Sequence, residues 1–294
     1  AEAALYSDRV TIVVTENTPL AHRLESELVS ILNTEVIPVF TFPDWEILPY
    51  DTFSPHQDII SQRLLTLYQL PKLETGIIIV PVATLMHYIA PRQYIEGNSF
   101  VFATGDKNDI NGLSQQLQQS GYRHVDQVIE HGEYSVRGSI LDLFPMGSNH
   151  PFRLDFFDDE IDSIRLFDPE SQRSKDKVEH IKLLPAHEFP LDKSGIETFR
   201  NHYRENLTVR NEKDSLYKQV TEGSFPAGIE YYLPLFFDHL DTLFDYFPAN
   251  GQLILSGDIQ SQATQFLNDI NSRYTNLNVD PLRPLLSPST LFLP

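Results

Sequence analysis

Between Arg9 and Thr15 the chain sets Val10, Ile12, Val13 and Val14 almost side by side, the pattern of a strand buried on both faces. Asn17-Thr18-Pro19 then offers a cap and an early helix proline, and Leu20, Leu24, Leu28 and Leu32 recur at every fourth residue. Val36 to Phe42 reads as a second strand, Asp58 to Leu70 as a helix, Gly76 to Pro81 as a third strand and Val82 to Ala90 as another helix. Strands rich in Ile and Val that alternate with helices predict a parallel sheet covered on both faces, a doubly wound α/β unit.

From about Asn98 the period changes. Leu113 and Leu117 mark a short helix ending at Gly121, followed by strand-like runs at Val125 to Glu130, Tyr134 to Phe144, Phe152 to Phe157 and Ile161 to Phe167. Four such runs at short spacing predict a small, mainly antiparallel α+β domain, with Asp158-Asp159-Glu160 at the tip of its last hairpin. Helical patterns return at Ile196 to Glu205 and Ser215 to Val220. The strand-like Gln252 to Ser256 and a helix from Asp258 to about Leu277 come after them. The chain therefore divides into residues 1–98, an inserted domain at 99–185 and a returning segment at 186–294 that completes the first sheet. The last residues, from Ser287 to Pro294, read as a chain cut in or just after a strand.

Composition narrows the classes of function. Cysteine is absent, which excludes disulfides, thiolate metal sites and cysteine nucleophiles together. There is no secretory leader pattern and no apolar run of membrane-spanning length, so a cytoplasmic location and no membrane partner are expected. Lys and Arg total 22 against 41 for Asp and Glu, a net charge of -19, and such a surface repels phosphate backbones unless its cations gather in one place. Protein is the better partner.

Chemistry does not appear where the fold invites it. Neither G-x-x-x-x-G-K-[ST] nor G-x-G-x-x-G occurs, so a nucleotide has no phosphate loop. Phe157-Asp158-Asp159-Glu160 resembles an acidic magnesium motif, yet it sits at a hairpin tip with no lysine loop to share a metal. No serine lies in G-x-S-x-G, and no histidine pair has metal-ligand spacing. Phe42-Pro43-Asp44-Trp45-Glu46-Ile47-Leu48-Pro49-Tyr50-Asp51 could stack bases. Without cations it reads better as a proline-stiffened loop packing the sole tryptophan, with Ser54 or Asp58 starting the next helix.

Two strands carry the informative side chains. Arg153, Asp155 and Phe157 share one face while Phe152, Leu154 and Phe156 share the other, which is purely apolar and belongs to a core. An exposed ring beside an arginine is the usual make-up of a binding hot spot. For Arg137-Gly138 two readings stand together. Either the glycine clears space for a partner, or Arg137 pairs with Asp142 or Asp155 across the sheet and Gly138 marks a bulge.

Trp45-Glu46-Ile47-Leu48-Pro49-Tyr50-Asp51, Phe53-Ser54-Pro55-His56, Tyr122 to Val128, Leu141-Asp142-Leu143-Phe144-Pro145 and Arg153 to Ile161 together resemble the N-terminal region of bacterial transcription-repair coupling factors, the Mfd family. The resemblance runs over nearly the whole chain. It implies a split helicase-like domain, of P-loop type without the P-loop and similar to the repair helicase UvrB, interrupted by a domain that binds the damage-recognition protein UvrA. By motif position the UvrA contacts fall on Arg137, Arg153 and Phe157, with Arg165 and Phe167 as neighbours that could extend the interface. Alanine at each of the first three is expected to weaken binding and spare the thermal midpoint. The resemblance further implies that this region hydrolyses no ATP and lacks UvrB's DNA-clamping hairpin. RNA polymerase, DNA, ATP and magnesium are engaged elsewhere in the full-length family protein, whose C-terminal domain also contacts the inserted domain. A helicase-like nucleic-acid-binding core and a chiefly autoinhibitory domain are the competing readings.

Overall fold

A computed structural model describes residues 9–34, 36–209 and 212–294. Its strands are β1 (Val10–Thr15), β2 (Val39–Thr41), β3 (Gly76–Pro81), β4 (Tyr88–Ile89), β5 (Phe100–Ala103), β6 (Arg123–His124), β7 (Glu133–Arg137), β8 (Ile140–Leu143), β9 (Phe152–Phe157), β10 (Glu160–Phe167), β11 (Ser174–Val178), β12 (His180–Leu183), β13 (Asp241–Thr242) and β14 (Gln252–Ser256). Contacts divide the chain into two compact units, one of residues 1–55, 66–92 and 196–294, the other of residues 56–65 and 93–195. Among the described residues no helix is long and apolar enough to cross a membrane.

The first unit is α/β. Its four strands are all parallel in the order β14-β1-β3-β2, so the returning segment does complete the sheet begun at Val10. β1 and β3 are buried along their whole length, as their Ile- and Val-rich sequences predict. Helix α1 (Thr18–Ile31) is capped by the Asn17 side chain, which accepts the Leu20 N–H at 3.0 Å, and packs on Val13, Ile77 and Ile79. Leu24, Leu28 and Leu32 of the expected row pack into this core together with Ala21, while Leu20 stays outside it. The second strand is shorter than its apolar run, β2 covering only Val39–Thr41. The predicted helix from Val82 stops at Leu85, after which Tyr88 and Ile89 pair with β13.

Helix α2 (Gln57–Gln69) starts at Gln57, next to Asp58 and not at Ser54. Ser54 instead donates to the Glu230 carboxylate at 2.9 Å and accepts the Gly228 N–H at 3.1 Å, while Asp58 lies inside the first turn.

The second unit is built on a six-stranded sheet in the order β11-β10-β9-β8-β7-β6, antiparallel except where β6 meets β7. Helix α3 (Ile110–Gln119) buries Leu113 and Leu117, and its Asp109 cap accepts the Gly112 N–H at 3.2 Å. Two expectations for this unit need correction. The run from Tyr134 to Phe144 is not one strand but the hairpin β7–β8, and residues 125–130 form a loop instead of a strand. Glu133 explains the loop: its buried carboxylate accepts the N–H groups of Ile129 and Glu130 at 2.8 and 2.9 Å, a local pairing that competes with a ladder. Arg63 and Glu188 form a buried ion pair in the same unit, each side chain at most 2% exposed, with Nη2 3.1 Å from Oε2. Nothing in their local sequence marks them as partners, since 125 residues separate them.

Candidate protein-interaction surface

Strand register assembles the arginines. Asp142 lies opposite Arg153, Arg153 opposite Arg165, and Arg165 opposite Lys177, so these four residues form one row across β8, β9, β10 and β11. Asp142 is the organising residue. Its carboxylate, 1% exposed, accepts Nε and Nη2 of Arg153 at 2.7 and 2.9 Å and also Nη2 of Arg137. A buried acid is costly unless its oxygens are filled by charged donors, and here a bidentate arginine and a second guanidinium fill them. One negative charge holds two positive ones, leaving the cluster formally cationic.

The two arginines are held differently. Arg153 also donates to the Gln172 carbonyl at 3.3 Å and Ser174 Oγ at 3.2 Å, and lies over the Phe167 ring at 5.1 Å. The Asp142 hydrogen bond, partly opposed by burial, raises its pKa further. Arg137 keeps a side chain 52% exposed. On the Arg153 face of β9 the last residue is Phe157, which is 78% exposed and precedes the hairpin tip at Asp158, where φ is 59°.

Each residue singled out in the sequence can now be placed. Arg137 and Arg153 are brought together on Asp142, and Phe157 is on their sheet and exposed. Arg165 is half-buried in the same row. Phe167 is not a surface residue: at 1% exposure it packs with Val128 and Phe144 in a small core, because the loop before β7 closes over that part of the face. Gly138 is neither a bulge nor a demonstrated clearance. It is the first residue of the two-residue turn between Arg137 and Ile140, with φ +64° and open space where a Cβ would stand, so the turn alone accounts for glycine. Asp142 was visible only as one candidate partner of Arg137. Its alternation with Leu141 and Leu143 signals a face, but the face is known only after the turn sets the register.

The other place to look for chemistry is the carboxyl end of the parallel sheet, where β1 connects onward to one side and β14 lies on the other, the position at which α/β sheets bind ligands. Two helices start there, α1 and α4 (Ile259–Leu277). Asn17 caps α1, Asp258 caps α4 by accepting the Ser261 N–H at 3.2 Å, and Glu16 accepts the Asp258 N–H. Some of the donors that would cradle a phosphate elsewhere are thus turned to the chain's own side-chain oxygens, an amide at α1 and carboxylates at α4. Among the described residues no group of three or more His, Asp and Glu could hold a metal ion.

The features together define an α/β protein with a second, mainly antiparallel unit, on whose sheet Asp142 holds Arg137 and Arg153 and Phe157 is exposed. Residues 100–189 match the family model of the UvrB interaction domain. The chain is 55% identical over 256 residues to the transcription-repair-coupling factor of Escherichia coli (87% of this chain, 22% of that protein) and 49% identical over 293 residues to that of Haemophilus influenzae (99% and 25%). The Rickettsia bellii factor is 29% identical over 289 residues (96% and 25%). The chain thus spans about a quarter of the length of the curated relatives it matches. It belongs to the transcription-repair-coupling factor family, as a region of such a protein that contains the UvrB interaction domain.

Proposed function

We propose that this chain is the non-catalytic recruitment module of a transcription-repair coupling factor, engaging the damage-recognition protein UvrA by protein-protein contact through Arg137, Arg153 and Phe157, with Arg165 at the flank. One observation carries the reading: a buried Asp142 holds two arginines at the surface of a sheet that also exposes Phe157, on a chain of net charge -19. The matched family model lies within the unit that bears this surface. Rigid cations and a bare ring suit a partner patch that is acidic around an apolar pocket. On this reading the module brings UvrA to a stalled transcription complex. Polymerase binding and ATP-driven motion reside in other parts of the longer protein, and Glu16 and Asp258 at the sheet crevice support a module without nucleotide chemistry of its own.

The test is co-elution with UvrA. Phe157→Ala is expected to weaken the complex by more than ~1 kcal/mol, about five-fold, while folding stability moves by less than ~0.5 kcal/mol; Arg137→Ala is expected to weaken it as much, with some loss of stability because the buried Asp142 then keeps Arg153 alone. Raised salt weakens the wild-type complex. Arg153→Ala is a less clean probe than the sequence suggests, because Asp142 stays buried when its bidentate partner is gone. Unchanged co-elution of Phe157→Ala and Arg137→Ala sinks the assignment.

A further inference from the structure

The loop around Trp45 takes no part in that surface, yet it holds the chain's one tryptophan and builds a cavity in the α/β unit. Trp45 meets His87 and Tyr231 edge to face, with ring centroids 5.2 and 5.4 Å away, and His87 stacks on Phe266 at 6.0 Å. These rings line an open cavity of about 210 Å³. Cofactor and small-molecule sites run to ~300–1,000 Å³, so the space suits a single side chain.

Its charged groups set the chemistry. Asp44, oriented by the Thr84 hydroxyl at 3.1 Å and the Glu46 N–H at 2.9 Å, and the exposed Asp269 contribute carboxylates. Arg273 is the opposing charge, with Nε donating to the Pro49 carbonyl at 2.7 Å. Acids prevail at the Tyr231 hydroxyl: burial raises its pKa most, Asp44, Glu230 and Asp51 raise it further, and Arg273 opposes least. A negative, aromatic-walled space repels a phosphodiester and attracts a cation, because ring faces and carboxylates both stabilise positive charge.

We propose that this cavity receives one cationic side chain, an arginine or lysine presented by a partner protein, with the rings as walls and Asp44 and Asp269 as counter-charges. The inference is independent of the UvrA surface, which lies in the other unit. Trp45 reports on it directly. Tryptophan emission of the whole chain would be followed on titration with N-acetylarginine amide, its neutral isostere N-acetylcitrulline amide, N-acetylleucine amide and a short oligothymidylate. The arginine derivative is expected to give a saturable change and to bind at least about five-fold tighter than the citrulline derivative. Asp269→Asn, an exposed change, should weaken arginine binding about three-fold with the unfolding midpoint unmoved. Equal binding of the citrulline or leucine derivative overturns the charge requirement. Saturable quenching by the oligonucleotide alone would make the cavity a base-stacking site, and no saturable response to the arginine derivative overturns the proposal.

Discussion

On the antiparallel sheet the buried carboxylate of Asp142 faces two arginines and holds them at the surface, whereas at the end of the parallel sheet Glu16 and Asp258 face the N–H groups that begin α4. One acid therefore organises cations for display, and the other two occupy donors that a phosphate would need. Both arrangements satisfy buried or orphaned polar groups, as any fold must. Their outcomes differ because the strand register of β7, β8 and β9 sets the partners of Asp142, while helix starts set those of Glu16 and Asp258. An acidic chain can thus gather guanidinium groups on one acid in one unit and turn other acids to helix N–H groups in the other.

The comparison can be broken by experiment, beginning with the largest effect. Arg63→Ala removes the guanidinium that pairs with the buried Glu188 carboxylate of the antiparallel unit and should cost about 3–5 kcal/mol in denaturant unfolding. A loss under ~1 kcal/mol would mean that this unit holds a buried acid without an arginine, and the same would then be open to Asp142. Asp142→Ala comes next. It unpairs two guanidiniums that retain some solvent access, so about 2–3 kcal/mol is expected, with loss of UvrA binding although Asp142 is buried.

His187 supplies a pH test of the same unit. Burial lowers its pKa to about 4, so the unfolded chain binds the proton more readily between pH 6.5 and 4. Stability from the neutral ring is complete above that window and is lost as pH falls through it. Some solvent contact discounts the effect to about 2 kcal/mol overall, measurable as a falling urea midpoint. Glu16→Gln should have the smallest effect, roughly 0.5 kcal/mol, since the amide oxygen can still accept from Asp258. The variant should gain no ATP affinity. Saturable micromolar ATP binding by the unaltered chain would undo the contrast between the two regions.

Local pattern made much of the fold legible. β1 and β3 were readable because a strand buried on both faces shows as an unbroken apolar run, and Asn17 and Leu113 marked helices through a cap and a period. Misreadings arose where a turn or a polar competitor interrupted such a run. Val36 and the stretch after Val125 have strand-like side chains, yet β2 begins only at Val39, and Glu133 draws the later backbone into a loop. Phe167 looked like a neighbour of the exposed patch, and only the loop that covers it shows it to be core.

By itself the sequence determined the alternation of α/β and antiparallel segments, the family, and the face of β9 on which Arg153 and Phe157 stand, because these follow from residue type and spacing along a single element. Tertiary structure alone decided that Arg137 and Arg153 share one carboxylate, that Arg63 finds Glu188, and that Trp45 walls a cavity with Asp269 at its rim. Those pairings depend on register and on contacts between residues far apart in the chain, which no local periodicity encodes.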